Sequence, residues 1–181
     1  MRSIEIFEPV SGIWCVRHRP TRSCAYIVKT SPGALVIDTG PDRSASGLMM
    51  GLQGARVGLS SVHALVLTDV HADRAEGAAA FHERSGTKVY YSRTATGVTD
   101  LSVERFIGDG DLIEGRLEVL ATPGPTPGHL SYYLRSHGAL FHGDSSPSAA
   151  AKRAHSELEW LLPGRGRPLT RVELDLASRT R

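Results

Sequence analysis

Three apolar segments in the middle of the chain constrain the fold most, because two helix-like segments separate them. The apolar segments read ALVID at 34–38, SVHALVLTD at 61–69 and TKVYYS at 87–92. Between them lie PDRSASGLMMGLQGA, in which Pro41 fits the start of a helix, and the alanine-rich ADRAEGAAAFHERSG, which Gly86 would end. Strands joined by helices pair in parallel through right-handed crossovers. The middle of the chain therefore predicts a parallel β-sheet.

The flanking segments predict further strands. SIEIFEP, GIWCVRH and SCAYIVKT are bounded by turn residues and predict an antiparallel meander. After Gly108, RLEVLATPG, LSYYLR and ALFHGD predict more strands, and SELEWLLPGRGRPLTRVELDLASRTR predicts a short helix, a loop and an amphipathic helix. We expect an α/β fold, an αββα sandwich of two mixed β-sheets flanked by helices, in a single domain spanning residues 1–181.

Composition and charge narrow the class of protein. The formal net charge is +2, which does not suggest a nucleic-acid partner. No apolar run approaches the ~20 residues of a membrane span, and the N-terminal MRSIEIFEPV does not resemble a signal sequence. We therefore expect a cytoplasmic protein without a membrane partner, in which Cys15 and Cys24 are buried, reduced thiols. A homodimer stays open, because nothing in the sequence specifies one.

Polar stretches follow the predicted strands at the places where open α/β sheets bind ligands. They read DTG from Asp38, TDVHADR from Thr68, TPGPTPGH from Thr122, HGDSS from His142 and PGRG from Pro163. Taken singly, each fits a turn, a helix cap or a stiff loop. In this order, they resemble the motifs of the metallo-β-lactamase superfamily, with the glyoxalase II-like and small-hydrolase branches most similar.

The resemblance implies a metal-dependent hydrolase. Members hold one or two Zn²⁺ ions, or Fe and Mn in some branches, and the metal supplies hydroxide near neutral pH. The ligands come from an HxHxDH motif, a histidine in a PGHT loop, a bridging aspartate in a GD motif and a histidine in a late loop.

This chain keeps some of those ligands and lacks others. Where the family has HxHxDH, the sequence has Asp69, His71, Asp73 and Arg74, so two of the three histidines are replaced. The bridging aspartate is present as Asp144.

The remaining two histidine positions are also changed. Pro125 stands at the PGHT histidine and Arg165 at the late histidine. Proline has no donor side chain, and arginine stays protonated and cannot ligate a metal. His129 and His142 lie near the right loops and are alternative ligands.

Charge suggests what replaced the metal. Three aspartates in one pocket would repel one another, and two guanidiniums nearly neutralise them. We expect Arg74 and Arg165 to form hydrogen-bonded ion pairs with Asp73 and Asp144 in place of the second metal ion. No cofactor is expected, or at most one weakly held Zn, Mn or Fe ion bound by Asp69, His71, Asp73 and Asp144.

The expected function is metal-independent acid/base chemistry on a small activated acyl, thioester or lactone substrate, free or carrier-bound, as a hydrolase or in a lyase- or cyclase-type step. Its catalytic residues would be Asp69, His71, Asp73 and Asp144. Its substrate-binding residues would be Arg74, Arg165 and His129. Two alternatives stay open, a single-metal hydrolase with substituted ligands and a non-catalytic binding or scaffold protein.

Overall fold

The computed structural model describes residues 3–95, 105–124 and 126–179. Within them, the strands are Ile4–Val10, Ile13–His18, Ser23–Lys29, Ala34–Ile37, Val62–Val66, Lys88–Ser92, Arg105–Ile107, Leu112–Ile113, Leu117–Ala121, Leu130–Leu134, Ala139–Gly143, Trp160–Pro163 and Leu169–Thr170, numbered β1 to β13. The α-helices are Ser46–Gly54, Ala72–Ala75, Ala78–Ser85, Pro147–Arg153 and Arg171–Arg179, numbered α1 to α5.

The strands form two mixed sheets, as expected from the sequence. The first sheet has the order β1-β2-β3-β4-β5-β6-β7, with antiparallel pairing up to β4 and parallel pairing from β4 to β7. The second has the order β13-β12-β11-β10-β9-β8, in which only the pairing of β11 with β12 is parallel among the described strands. The sheets pack face to face over an apolar core.

Alternating side chains place one set of residues between the sheets and the other under the helices. In β4, Leu35 and Ile37 face the core between the sheets, whereas Val36 faces the layer under α1 and α3. The other sheet is covered on its outer face by α4 and by Leu174 of α5. Helices therefore cover both outer faces, and the expected αββα sandwich is confirmed.

Three expectations about elements were wrong. α1 begins at Ser46 rather than at Pro41, because the carboxylate of Asp42 accepts hydrogen bonds from the Ser44 and Ser46 N–H groups and holds a turn before the helix. The alanine-rich helix is divided at Gly77 into α2 and α3, and it ends at Gly86 as expected.

The third error concerns the segment SELEWLLP, which contains the strand β12 rather than a helix. The strand lies between β11 and β13, and its Leu161 and Leu162 are fully buried. Cys15 and Cys24 are buried and free, as expected.

Candidate functional site

The polar loops predicted from the sequence meet at one edge of the two sheets. In the first sheet, Asp38 follows β4 and accepts hydrogen bonds of 2.8 Å from the N–H and the hydroxyl of Thr68, which lies beyond β5. In the second sheet, the Gly164 N–H beyond β12 donates to the Gly143 carbonyl at the end of β11, at 2.8 Å. These contacts bring the strand ends of each sheet together.

Arg74 joins the two halves of this edge. It lies in α2, its side chain is 0% exposed, and its Nη2 donates to Asp144 Oδ1 at 2.5 Å. Its Nη1 lies 3.4 Å from Asp73 Oδ2 and donates to the Asp73 carbonyl at 3.1 Å. A buried guanidinium therefore stands between two of the aspartates that the resemblance assigns to metal.

Arg165 forms the second ion pair. Its Nη2 donates to Asp73 Oδ2 at 2.6 Å, and its Nη1 donates to the Thr21 carbonyl at 3.1 Å. Its side chain is 53% exposed, unlike that of Arg74. The expected arginine–aspartate pairs are thus confirmed, one buried and one open to solvent.

Gly164 allows the buried arginine to lie where it does. A Cβ atom at this position would be 2.6 Å from Nε and 2.8 Å from Cζ of Arg74. Such distances are far below van der Waals contact, so the loop beyond β12 packs on the guanidinium only because residue 164 is glycine. The sequence showed the glycine of PGRG but not this contact.

Asp38 was not among the predicted site residues, although the sequence analysis noted its DTG loop. It is fully buried, and burial raises the pKa of its carboxyl to about 8, although Arg74 and the two hydrogen bonds from Thr68 act in the opposite direction. Burial acts to lower the pKa of Arg74, but Asp38 and Asp144 more than offset it and raise that pKa. Asp38 is therefore part of the same buried charge cluster as Arg74.

Asp69 and His71 form an acid–imidazole pair beside this cluster. Asp69 is buried, and its Oδ1 accepts a hydrogen bond from the His71 N–H at 2.9 Å. Its Oδ2 lies 3.1 Å from His71 Nδ1 in an orientation that is not that of a hydrogen bond, and this contact is an ion pair only when the imidazole is protonated. The His71 side chain is 55% exposed, so the imidazole is accessible while the carboxylate behind it is not.

His129 and His142 are both buried below the loops. His129 Nδ1 is 2.9 Å from the Thr122 hydroxyl, and its Nε2 accepts a hydrogen bond of 3.1 Å from the Asp144 N–H. His142 Nδ1 donates to the Ser145 carbonyl at 2.8 Å. Burial lowers the pKa of His129, and it lowers the pKa of His142 to about 4. Both imidazoles are therefore neutral at pH 7 and help to hold the loops.

Two of the residues expected to bind substrate are buried. Arg74 and His129 are both bonded to Asp144, one to its carboxylate and one to its N–H. In this structure they hold Asp144, and their predicted role in substrate binding stays a prediction. Arg165 and His71 remain accessible.

The described residues do not fit the pair of metal ions that the resemblance implies. No group of three His, Cys, Asp or Glu side chains within them is arranged to hold a metal ion. Asp144 and Asp73 are bonded to guanidinium groups, and His129 accepts from a backbone N–H. Pro125, which stands at the position of the PGHT histidine, lies outside the described residues.

The fold and this edge define an αββα sandwich whose functional loops lie at the ends of the strands. A family model described as the metallo-beta-lactamase superfamily matches residues 19–176. The chain therefore belongs to the metallo-beta-lactamase superfamily.

Curated relatives are similar over part of their length. The hydroxyacylglutathione hydrolase of Klebsiella pneumoniae subsp. pneumoniae is 33% identical over 93 residues, which cover 50% of this chain and 36% of that protein. Two other hydroxyacylglutathione hydrolases match over 32% and 34% of their lengths. This chain thus spans about a third of the length of the curated relatives it matches.

Solved structures share the fold at low identity. The Cronobacter sakazakii metallo-beta-lactamase with a HARLDQ motif superposes with a TM-score of 0.74 and 18% identity, covering 99% of this chain and 79% of that chain. A variant of that protein, in which an arginine, a glutamine and a lysine are changed to histidine, superposes with a TM-score of 0.71 and 20% identity. The match covers 90% of this chain and 80% of that chain. Within the described residues, no helix is long and apolar enough to span a membrane.

Proposed function

We propose that this chain acts by metal-independent acid/base chemistry on a small activated acyl, thioester or lactone substrate, with His71 as the general base. The observation that carries the proposal is the accessible imidazole of His71 with the buried carboxylate of Asp69 3.1 Å from its Nδ1. A carboxylate at this position stabilises the imidazolium that forms when the other ring nitrogen accepts a proton.

In the proposed reaction, His71 Nε2 removes a proton from water, and the resulting hydroxide attacks the acyl carbonyl. Asp69 stabilises the cationic ring, and its hydrogen bond from the backbone N–H of His71 holds the carboxylate beside that ring. The same imidazolium then returns the proton to the leaving group. A lactone or thioester suits this chemistry because its leaving group departs without the strong activation that an amide needs.

Arg165 is the group most suited to the developing negative charge. Its guanidinium uses two N–H donors, one on Asp73 and one on the Thr21 carbonyl, and it is exposed. A guanidinium has five N–H donors, so three remain for a substrate oxygen. Asp73 and Asp144 would then act as anchors for the two arginines rather than as proton carriers.

Two observations support an acyl substrate and a reaction without metal. The curated relatives are named for hydrolysis of a hydroxyacyl conjugate of glutathione, which is an acyl substrate. The aspartates that would bridge and complete a metal pair are bonded to guanidinium groups. A guanidinium supplies the positive charge of a metal ion but no Lewis-acid site.

The proposal is tested by a screen of thioesters and lactones with protein purified without chelator, in parallel with elemental analysis. We expect turnover that EDTA does not reduce, and His71→Ala should lower kcat/KM by about 10²-fold or more. His137→Ala is the matched control, because His137 lies in the turn between β10 and β11, at the far end of those strands. It should leave turnover unchanged.

Two results would contradict the proposal, and each favours one alternative. Activity that EDTA abolishes and that one equivalent of Zn, Mn or Fe restores would indicate the single-metal hydrolase. No turnover of any thioester or lactone, with His71→Ala folded as wild type, would indicate a binding or scaffold protein.

A further inference from the structure

An open cavity of about 250 Å³ adjoins the ion pairs. It lies between residues 142–147, at the end of β11, and residues 163–169, around the loop beyond β12. Its charged lining residues are Asp144, Arg165 and Arg167. Asp144 is bonded to the buried guanidinium of Arg74, so Arg165 and Arg167 are the lining residues that keep exposed N–H donors.

A third arginine, which does not line the cavity itself, lies beside the loop beyond β12. The Gly166 N–H donates to the Arg22 carbonyl at 3.0 Å, and a Cβ atom at Gly166 would lie 3.8 Å from Arg22 Nη2. Arg22 therefore lies against the glycine that separates Arg165 from Arg167. We call Arg22, Arg165 and Arg167 the arginine rim.

The loop that carries Arg165 and Arg167 is held in place by hydrogen bonds from the first sheet. The Gly166 carbonyl accepts a hydrogen bond of 3.0 Å from Arg17 Nη1, and Arg17 is in turn paired with Glu5. The Cys24 N–H donates to the Gly164 carbonyl at 2.8 Å. Such contacts fix the backbone, so the guanidiniums project from a preformed frame.

Acidic side chains pair with two of the three rim arginines, but N–H donors remain on each guanidinium. Arg165 is paired with Asp73 and Arg167 with Glu173, at 2.6 and 2.8 Å. No described acidic side chain is within ion-pair distance of Arg22. The paired guanidiniums are also exposed, and each keeps further N–H donors.

We propose that the arginine rim binds a carboxylate or phosphate on the acyl part of the substrate. The inference rests on the proposed function for the reacting acyl group. Guanidinium groups bind both oxyanions through paired N–H donors, and they do so better than lysine. Arg165 also contacts Asp73, two residues from His71 in the sequence, so the rim and the proposed base lie at the same edge of the sheets.

The test compares three thioesters of the same uncharged thiol, N-acetylcysteamine. Butyryl and succinyl thioesters are similar in size, but only the succinyl group carries a terminal carboxylate, and a 3-phosphonopropionyl thioester provides the phosphate-like case. We expect wild-type kcat/KM to be about tenfold or more higher for at least one of the two anionic acyl groups than for butyryl, at equal ionic strength.

Variants of the rim arginines show which residues cause the preference for the anionic thioester. Arg22→Gln and Arg167→Gln should each reduce the preference for the anionic thioester several-fold while the butyryl rate is kept. Arg56→Gln is the matched control, because Arg56 is exposed and lies beyond α1, before β5 begins, away from the strand ends of the site. Equal rates on all three thioesters, or a preference unchanged in both rim variants, would overturn the inference.

A binding measurement separates this inference from the proposed function. Succinate or inorganic phosphate should raise the Tm of the full chain, butyrate should not, and both rim variants should lose the shift. If no thioester is hydrolysed, the proposed function fails, and the Tm measurement alone then decides whether the arginine rim binds anions. A Tm that neither anion raises, or a shift equally large in both rim variants, would then refute anion binding.

Discussion

Arg74 is the residue on which the charge balance of the site depends. Its side chain is 0% exposed, yet it is bonded to the Asp144 carboxylate and lies close to that of Asp73. A buried cation is tolerated only when carboxylates and hydrogen bonds replace its hydration. Removing it would therefore leave the half-buried carboxylate of Asp144 without its ion-pair partner.

Arg74→Met should accordingly destabilise the protein by about 3–5 kcal/mol, because methionine fills much of the volume but supplies no charge. Urea denaturation followed by circular dichroism measures the effect. Arg43→Met is the control: Arg43 is 88% exposed in its pair with Glu76, so its loss should leave the urea midpoint nearly unchanged. Equal stability of the Arg74 variant and wild type would show that the pair does not hold the site.

Asp38 provides a prediction of pH dependence. Burial raises the pKa of its carboxyl in the folded protein to about 8, from an ordinary value of 3.8. The stability that this group contributes is therefore complete below about pH 4 and is lost as the pH rises to about 8.

Asp38→Asn removes this titration while keeping a side chain that can bond to Thr68. Between pH 4 and 8, wild type should lose stability relative to the variant by at least about 1 kcal/mol. Urea midpoints measured at several pH values check the trend. A constant difference between the two proteins across that range would contradict the raised pKa.

At the scale of elements, the sequence predicted the strands around the site well and its helices less well. The segment ALVID predicts a strand buried on both faces, and β4 is such a strand, because its alternating side chains reach two apolar layers. α2 and α3 could not be separated in advance. Their boundary at Gly77 depends on its close packing against the Asp42 carbonyl, where a Cβ atom would lie at 2.7 Å.

In the candidate site too, the sequence predicted some contacts but not the packing that buries them. The ion pairs followed from charge once the family resemblance had placed these residues in one site, because carboxylates brought together there need cations. The burial of Arg74 and His129 did not follow, since it depends on how tightly the loop beyond β12 and residues 142–144 cover them. That packing is a contact between distant segments, and a single sequence carries no direct signal of it.

Gly164 tests the packing between the loop beyond β12 and α2. In Gly164→Ala the new methyl group would overlap the Arg74 guanidinium, so the arginine must shift from Asp144. We expect a loss of about 1–3 kcal/mol, measured by urea denaturation. Gly108→Ala is the control, since a Cβ atom there meets nothing within 4 Å.

A double-variant cycle shows whether the alanine methyl group destabilises the protein through Arg74. If the methyl group acts through Arg74, the cost of Gly164→Ala should shrink markedly in an Arg74→Met background, where the guanidinium is absent. Costs that simply add would place the strain elsewhere in the loop.

At the scale of the whole molecule, two buried tyrosines join the sheets in opposite directions. The Tyr26 hydroxyl, from β3 of the first sheet, donates to the Pro163 carbonyl of the second at 2.7 Å. The Tyr132 hydroxyl, from β10 of the second sheet, donates to the Leu67 carbonyl beyond β5 of the first at 2.5 Å. Both carbonyls lie next to site loops, so the hydroxyls fix the distance between the halves of the site.

Tyr26→Phe and Tyr132→Phe should each therefore cost about 1–2 kcal/mol, because a buried carbonyl loses its donor while the apolar packing is kept. Tyr133→Phe is a sharp control: Tyr133 is equally buried, but its hydroxyl has no hydrogen-bond partner in the described parts of the chain. Its removal should be neutral or stabilising, since it relieves an unsatisfied polar group. Thermal and urea denaturation rank the three variants by stability. If Tyr133→Phe lost as much stability as the other two, the tyrosines would contribute through ring packing rather than through hydrogen bonds between the sheets.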